Sequence, residues 1–448
     1  MKVIFYNAYL FGFEIIFFKS FRITHRLNMN KEIQIFFDKL RERLWFRPLI
    51  YCLFSVFIAV IAHLADQATM AELAPEINTE SLKDLLDTIS ASMLVISIFA
   101  VASMLSAFSS ASSTATPRSF KLIIVDDVSQ NALSVFIGAF IFSIVAKIAM
   151  FNGLFGRAGH FVLFVITLIL FGVVILTFLR WVDRISRLGR LDNTIEKIET
   201  ASRKAISERL KNPNMQGLPP SNRKNKGKPI YSKDIGYIVW INIGILQNIA
   251  EKYNTKIVLN CLPGKFMEPN TPIAFMDTES EEDWEEVTEK INQALHIGKN
   301  RNFDEDPQFG IIALSEIASR ALSPAVNDPG TAIQIIGSFV RLFYQWDTQE
   351  AEETIETVTY DRVEVPSLSI KDLFTDAFRP IARDGAGNIE VMLRLQEAFC
   401  SLESIDHPDI KKEALSQSKD AYERALQTIT FENDLKLLES KSLSERIN

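Results

Sequence analysis

The sequence predicts a mainly α membrane protein: four transmembrane helices followed by a cytosolic α+β domain with a small β module and a helical C-terminal part. Three observations predict it. Hydrophobic residues make up 48% of the chain but are segregated, with residues 45–182 strongly apolar and residues 183–448 highly charged. The apolar part contains four runs of about 20 residues, and at a rise of about 1.5 Å per residue each covers a hydrocarbon core of about 30 Å. In the charged part, strand-like alternation gives way to helical periodicity.

At 448 residues the chain has room for two or three domains. The expected divisions are an N-terminal cytosolic or interfacial segment over 1–44, a four-helix membrane domain over 45–182, and a charged helix with a flexible basic linker over 183–234. A cytosolic α+β domain over 235–365 and a helical region over 366–448 follow. The net charge of −7 is mild and its signs lie in blocks, so nucleic acid is not an expected partner. Cys52, Cys261 and Cys400 are far apart with no Cys-x-x-Cys, which argues against a disulfide framework or a zinc knuckle. Five scattered histidines make a His-based catalytic or metal site improbable. No metal and no cofactor are expected.

Residues 1–28 carry seven aromatics in their first eighteen positions and then a basic run. Glu14 and the lack of a small-residue cleavage site argue against a signal peptide. The segment is either an interfacial amphipathic stretch or lies ahead of a start at Met29. Residues 30–47 then read as an amphipathic helix. The four spans are Trp45–Leu64, Ile89–Phe108, Ala132–Phe151 and Phe161–Val182. Lys39, Arg41 and Arg43 precede the first, with Arg47 at its start, and Arg184, Arg187 and Arg190 follow the fourth, with Arg180 at its end. The first connecting loop, Asp66–Thr88, has six acids against Lys83 alone. Positive-inside counting therefore places both termini in the cytoplasm.

In the second span Ser103, Ser106, Ser110 and Ser113 share one helix face. It is either the polar face of a pathway or a close-packing seam of small residues. Lys147, near the outer end of the third span, is either a functional charge or one that snorkels. After the fourth span, residues 212–234 contain four prolines and a basic excess and read as a linker. IGYIVWIN, KIVLNCL and PIAFM read as strands, with ILQNIAEKYN as a helix. Eight acids between Asp277 and Glu289 open a further helix. Residues 370–448 are helical, with breaks at RDGAGN and at His407-Pro408.

The densest stretch is Arg301–Phe343. Two helices are expected there, each opened by an Asp-Pro step. Asp306 and Asp328 suit the N-cap, and Pro307 and Pro329 suit the first helical position. Glu316, Arg320, Ser323, Asn327, Asp328 and Thr331 converge near a helix start, where free N–H groups and the helix dipole favour a small anion. The plainer reading is capping plus a Glu316–Arg320 ion pair. Walker, dinucleotide, nucleophile-elbow and zincin motifs are missing from the sequence.

RALSPAVNDPGTA (Arg320–Ala332), preceded by FDEDPQFGIIALSEIA, resembles the hallmark of a bacterial family of predicted membrane proteins known as a domain of unknown function. IGYIVWIN, LPGKFMEPNTPIAFM and TPRSFKLIIVDDVSQNALSVFIGAFIFS are similar to further blocks of that family, so the resemblance covers roughly residues 42–440. It implies four membrane helices and a cytosolic C-terminal domain, and no particular activity. Asn242, Lys265 and Asn302 depart from the residues usual at those positions (Asp, Asp and Thr), which puts an acidic role at the first two in doubt.

The leading expectation is a non-enzymatic integral membrane protein whose membrane domain is coupled to a ligand-responsive cytosolic domain, acting as an oligomeric channel or transport-like device. Its expected partners are the lipid bilayer, further copies of itself and a small anionic ligand. The alternatives are a membrane-anchored enzyme acting on an anionic or lipid-headgroup substrate, and a scaffold recruiting cytosolic partners.

Overall fold

A computed structural model describes residues 46–66, 74–119, 122, 127–221, 227–277, 284–349 and 358–443. The expectations for residues 1–45, for residues 67–73 of the first loop and for most of the acidic run after Asp277 lie outside these residues. The chain forms two units. One comprises the described residues up to Ser109 and those of Ile124–Leu188; the other comprises those of Ser110–Ile123 and Gly189–Asn448.

The first unit contains α1 (Phe46–Ala65), most of α2 (Thr79–Thr114), α3 (Asp127–Phe151) and α4 (Arg157–Arg187). Three of these, α2, α3 and α4, are long and apolar enough to cross a membrane, whereas the apolar stretch of α1 is the shorter Cys52–Leu64. Helices satisfy their own backbone groups, which is what an apolar solvent demands. In α3, 61% of the apolar window is buried against 17% in α4, so α3 is the interior helix of the unit. Its Ala132, Ala139 and Ala146 recur every seven residues, all buried, and small side chains of this kind let helices approach closely. The outward faces carry Leu53 and Phe57 of α1, Leu94 and Ile98 of α2, and Ile169 and Leu179 of α4, all exposed on the single chain.

Polar groups secure the helix ends. Asp66 accepts hydrogen bonds from the backbone N–H groups of Gly156 and Gly159, both at 2.7 Å, and so caps α4 from the end of α1. Lys147 pairs with Asp87 of α2, a partner that neither sequence reading anticipated.

The second unit has a β module and a helical part. In chain order it contains α5 (Leu191–Lys211), β1 (Gly217–Leu218), β2 (Lys228–Tyr231), β3 (Gly236–Ile241), α6 (Ile243–Lys252), β4 (Ile257–Leu259), β5 (Phe266–Met267) and β6 (Pro272–Met276). Next come α7 (Trp284–Ala294), β7 (Leu295–Gly298), α8 (Pro307–Ala321), α9 (Pro329–Phe343), α10 (Gln345–Gln349) and β8 (Tyr360–Glu364). Last are α11 (Ile370–Asp384), α12 (Ile389–Glu403), α13 (Pro408–Thr428) and α14 (Glu432–Lys441).

Two sheets form, ordered β1-β8-β4-β6-β2 and β5-β3-β7. The proline-rich stretch expected as a linker supplies β1 and β2. Pro229 fits because β2 is an edge strand, where a missing N–H costs no ladder bond. The sequence reading also passed over β8, whose Asp361, Arg362 and Glu364 suggest a solvated segment. It lies between β1 and β4, parallel to both. Val363 is fully buried, and the buried Glu364 accepts from the Ser221 N–H at 3.1 Å and its hydroxyl at 2.6 Å.

The helical part closes around five phenylalanines. Phe339 and Phe343 of α9, Phe374 and Phe378 of α11, and Phe399 of α12 are all fully buried. Beside this core α5 lies so close to α8 that a Cβ on Gly310 would overlap the Ser202 hydroxyl oxygen. Gly310→Ala is therefore expected to cost about 1–3 kcal/mol, the usual penalty for overpacking. Ser202→Gly added to it should recover most of the loss, as read by denaturant unfolding of the full-length protein in detergent.

Between α5 and α9, Arg341 holds Glu199 with two hydrogen bonds of 2.7 Å, and Arg203 adds a third at 3.0 Å. Burial raises the Glu199 carboxyl, but the hydrogen bonds from Arg341 and Ser338 more than offset it, leaving it below the ordinary carboxylate value of 4.5. A folded value below the unfolded one contributes stability that is present above pH 4.5 and lost as the pH falls through the folded value. Glu199→Gln should thus weaken the protein by about 2 kcal/mol at neutral pH. The loss should shrink as the pH falls below 4.5, which thermal melting across that range would show.

Candidate functional site

Both helices of the dense stretch form as expected. Asp306 caps α8 by accepting from the N–H groups of Gln308 and Phe309, and Asp328 caps α9 by accepting from that of Thr331 at 3.1 Å. Pro307 and Pro329 occupy the first turns.

The six residues singled out there divide into two sets. Ser323, Asn327, Asp328 and Thr331 build the turn between the helices. The Ser323 hydroxyl donates to the Arg320 carbonyl at 2.7 Å, and the Asn327 N–H to the Ser323 carbonyl at 2.9 Å. Asn327 has φ +51°, the left-handed conformation that asparagine tolerates better than most residues. The Thr331 hydroxyl donates to Asp328 at 2.5 Å. Ser323, Asp328 and Thr331 spend their side-chain hydrogen bonds on the turn itself.

Glu316 and Arg320, one turn apart on α8, do something else. Glu316 forms an ion pair with Arg118 and accepts from the Thr116 hydroxyl at 2.9 Å. Arg320 donates to the Ala115 carbonyl at 3.2 Å. Ala115 and Thr116 are buried. They follow directly on the last residues of α2, so α8 grips the segment in which an apolar, membrane-length helix ends. Three bonds to residues 115, 116 and 118, one of them an ion pair with both side chains partly exposed, make a contact of moderate strength. The plainer sequence reading paired Glu316 with Arg320 and missed Arg118 and Thr116. The one signal available was the Thr-Pro-Arg block itself, 200 residues away in the chain.

Of the four serines expected on one face of α2, Ser103 is half-buried and Ser106 and Ser110 are exposed on the single chain. The buried side of the helix is instead Met93, Ser97, Ala100, Met104, Phe108 and Ala111. The side chain of Ser113 lies outside the described residues. Among the described residues no three His, Cys, Asp or Glu side chains come together in a way that could hold a metal ion.

Long apolar helices in a chain that also folds a charged α+β unit define the class, a membrane protein. The chain belongs to the DUF2254 family of predicted membrane proteins, whose profile matches residues 41–401. Two uncharacterized proteins, one from Mycobacterium bovis and one from Mycobacterium tuberculosis, are each 25% identical over 156 residues, covering 34% of this chain. The matched region spans 28% of the length of these relatives. No solved structure matches.

Proposed function

We propose that this is a four-span protein of the bacterial cytoplasmic membrane with both termini in the cytoplasm, whose α+β unit passes its ligand-dependent state to α2 through Glu316 and Arg320. The observation that carries this reading is the grip of α8 on Ala115, Thr116 and Arg118. A shift of α8 by a fraction of a helical turn would have to move or release the end of α2. In favour of the four-span topology are the twenty-residue length of α1, its exposed Leu53, Phe54, Phe57 and Val60, and the basic residues flanking the first and fourth spans.

Four helices in one chain leave little room for a pore, so conduction requires a homo-oligomer. In it the outward Ser106 and Ser110 of α2 would line a path for an ion or small solute. Flux through the purified protein in liposomes tests this. Flux that Ser106→Phe abolishes without unfolding the chain supports the pathway. The absence of potassium, sodium or chloride flux from a folded, oligomeric preparation removes the channel and leaves the coupling to be judged on its own.

A further inference from the structure

The last turn of α2, from Ser110, belongs to the second unit together with residues 115–119 and the helical part. It is a landmark for where a membrane surface falls on that unit. The apolar span ends at Phe108, and from there to Ala115 the chain advances about 10 Å at the helical rise. The headgroup layer of one leaflet is about 5–8 Å deep, so Ala115 sits at its outer edge.

From this point α8 runs back towards the bilayer. Its Glu316 meets Thr116 and Arg118, whereas Arg320, one turn on, meets the earlier residue Ala115. The turn after α8 therefore lies on the bilayer side of Ala115. Its tip is apolar: Pro324, Ala325, Val326 and Asn327 are all exposed, Val326 by 49%. Beneath the tip, the hydrogen bonds of Ser323, Asp328 and Thr331 hold the backbone in place. A fixed turn that shows proline, alanine and valine to water gains free energy by entering an interface. Exposed Arg320, one helical turn before the tip, adds a positive charge that suits phosphate headgroups.

Two further corners of the helical part lie at the same end. The turn between α11 and α12 does, because a Cβ on Gly385 would touch Leu322 at 3.3 Å. From there α12 runs away, and α13 returns beside it, joined through residues 404–407 and bonded through Gln396 and Ser418. The corner where α13 gives way to α14 carries Leu426 and Phe431, 48% and 60% exposed. Glu432 and Asp434 follow Phe431, so the attraction at this corner is apolar and does not call for anionic lipid. The β module is at the other end of α8, about 20 Å away, where Gly264 packs on Asp306.

We infer that this end of the helical part, led by the tip at Val326 and the corner at Phe431, docks into the headgroup layer of the leaflet in which α2 ends. Phospholipid is the occupant. This goes beyond the coupling proposed above and needs only that α2 crosses the membrane, because lipid contact is read whether or not α8 moves.

The test places a nitrobenzoxadiazole fluorophore on Val326→Cys, Phe431→Cys or, as control, Phe266→Cys. Phe266 is 50% exposed and is two residues from Gly264, at the far end of α8. The background is the full-length protein with Cys52 and Cys400 replaced by Ser; Cys261 is buried and escapes the label. Each chain is placed in nanodiscs of phosphatidylcholine and phosphatidylglycerol, with and without lipid that carries a nitroxide near the headgroup. The expected result is quenching of about twofold or more at 326 and 431 and none at 266, with thermal unfolding unchanged by the label. Should either labelled chain unfold early, Ala325→Cys and Leu426→Cys take the same places. Absence of lipid quenching at the tip or at the corner, or equal quenching at 266, overturns the inference. So does shielding of the two labels from aqueous iodide without lipid quenching, since protein would then cover this end.

Discussion

Asp306→Ala is expected to destabilise the second unit by about 4 kcal/mol, because two losses coincide: a helix cap worth about 1 kcal/mol and the partner of a buried cation, worth about 3 kcal/mol or more. Asp306 is 2% exposed and accepts from Gln308 and Phe309 while holding Arg301, whose side chain is 13% exposed. Removing the carboxylate strands Arg301 in the interior. The backbone of Gly264 packs against the same pair, and a Cβ there would overlap the Asp306 carboxylate. Asp306 thus fastens the β module to α8 as well as starting the helix. Asp306→Asn keeps an acceptor for the cap and gives up only the charge, so it should lose less than Ala does. Urea unfolding of the full-length protein in detergent, followed by circular dichroism, separates the two. Equal losses in Ala and Asn would mean that the cap contributes nothing.

Phe378→Ala should cost a similar amount, about 3–5 kcal/mol, for a different reason. Phe378 is fully buried and its ring centroid lies 5.0 Å from that of Phe399, 5.4 Å from Phe374, 5.5 Å from Phe339 and 5.9 Å from Phe343. Three helices meet on it, so a void there cannot close without moving α9, α11 and α12 together. Phe378→Leu should recover most of the difference, and the same unfolding measurement reports it.

These two residues also show what was legible in the sequence. The Asp-Pro steps announced both helix starts, because capping and proline placement are local chemistry that needs no knowledge of the fold. The breaks at RDGAGN and His407-Pro408 fell at helix ends for the same reason. Strands with clean apolar alternation, β3 and β6, were readable, and β8 was not. Its charges look solvated until Glu364 is seen to be satisfied by Ser221, more than a hundred residues away.

The candidate site divided along the same line. The turn formed by Ser323, Asn327, Asp328 and Thr331 is local and follows from its residue types. The partners of Glu316 and Arg320 lie in the segment after α2, and periodicity carries no information about a contact of that range.

The contact between α8 and residues 115–118 carries the proposed coupling, and hydrogen–deuterium exchange of the full-length protein in lipid nanodiscs tests it most directly. In the wild type, peptides covering residues 110–119 should be protected. In Arg320→Ala and in Glu316→Gln their exchange should rise about tenfold, the effect of losing one such bond, while peptides from the phenylalanine core stay unchanged. Protection of 110–119 that is the same in all three proteins would contradict the account, since α8 would then have no hold on the end of α2.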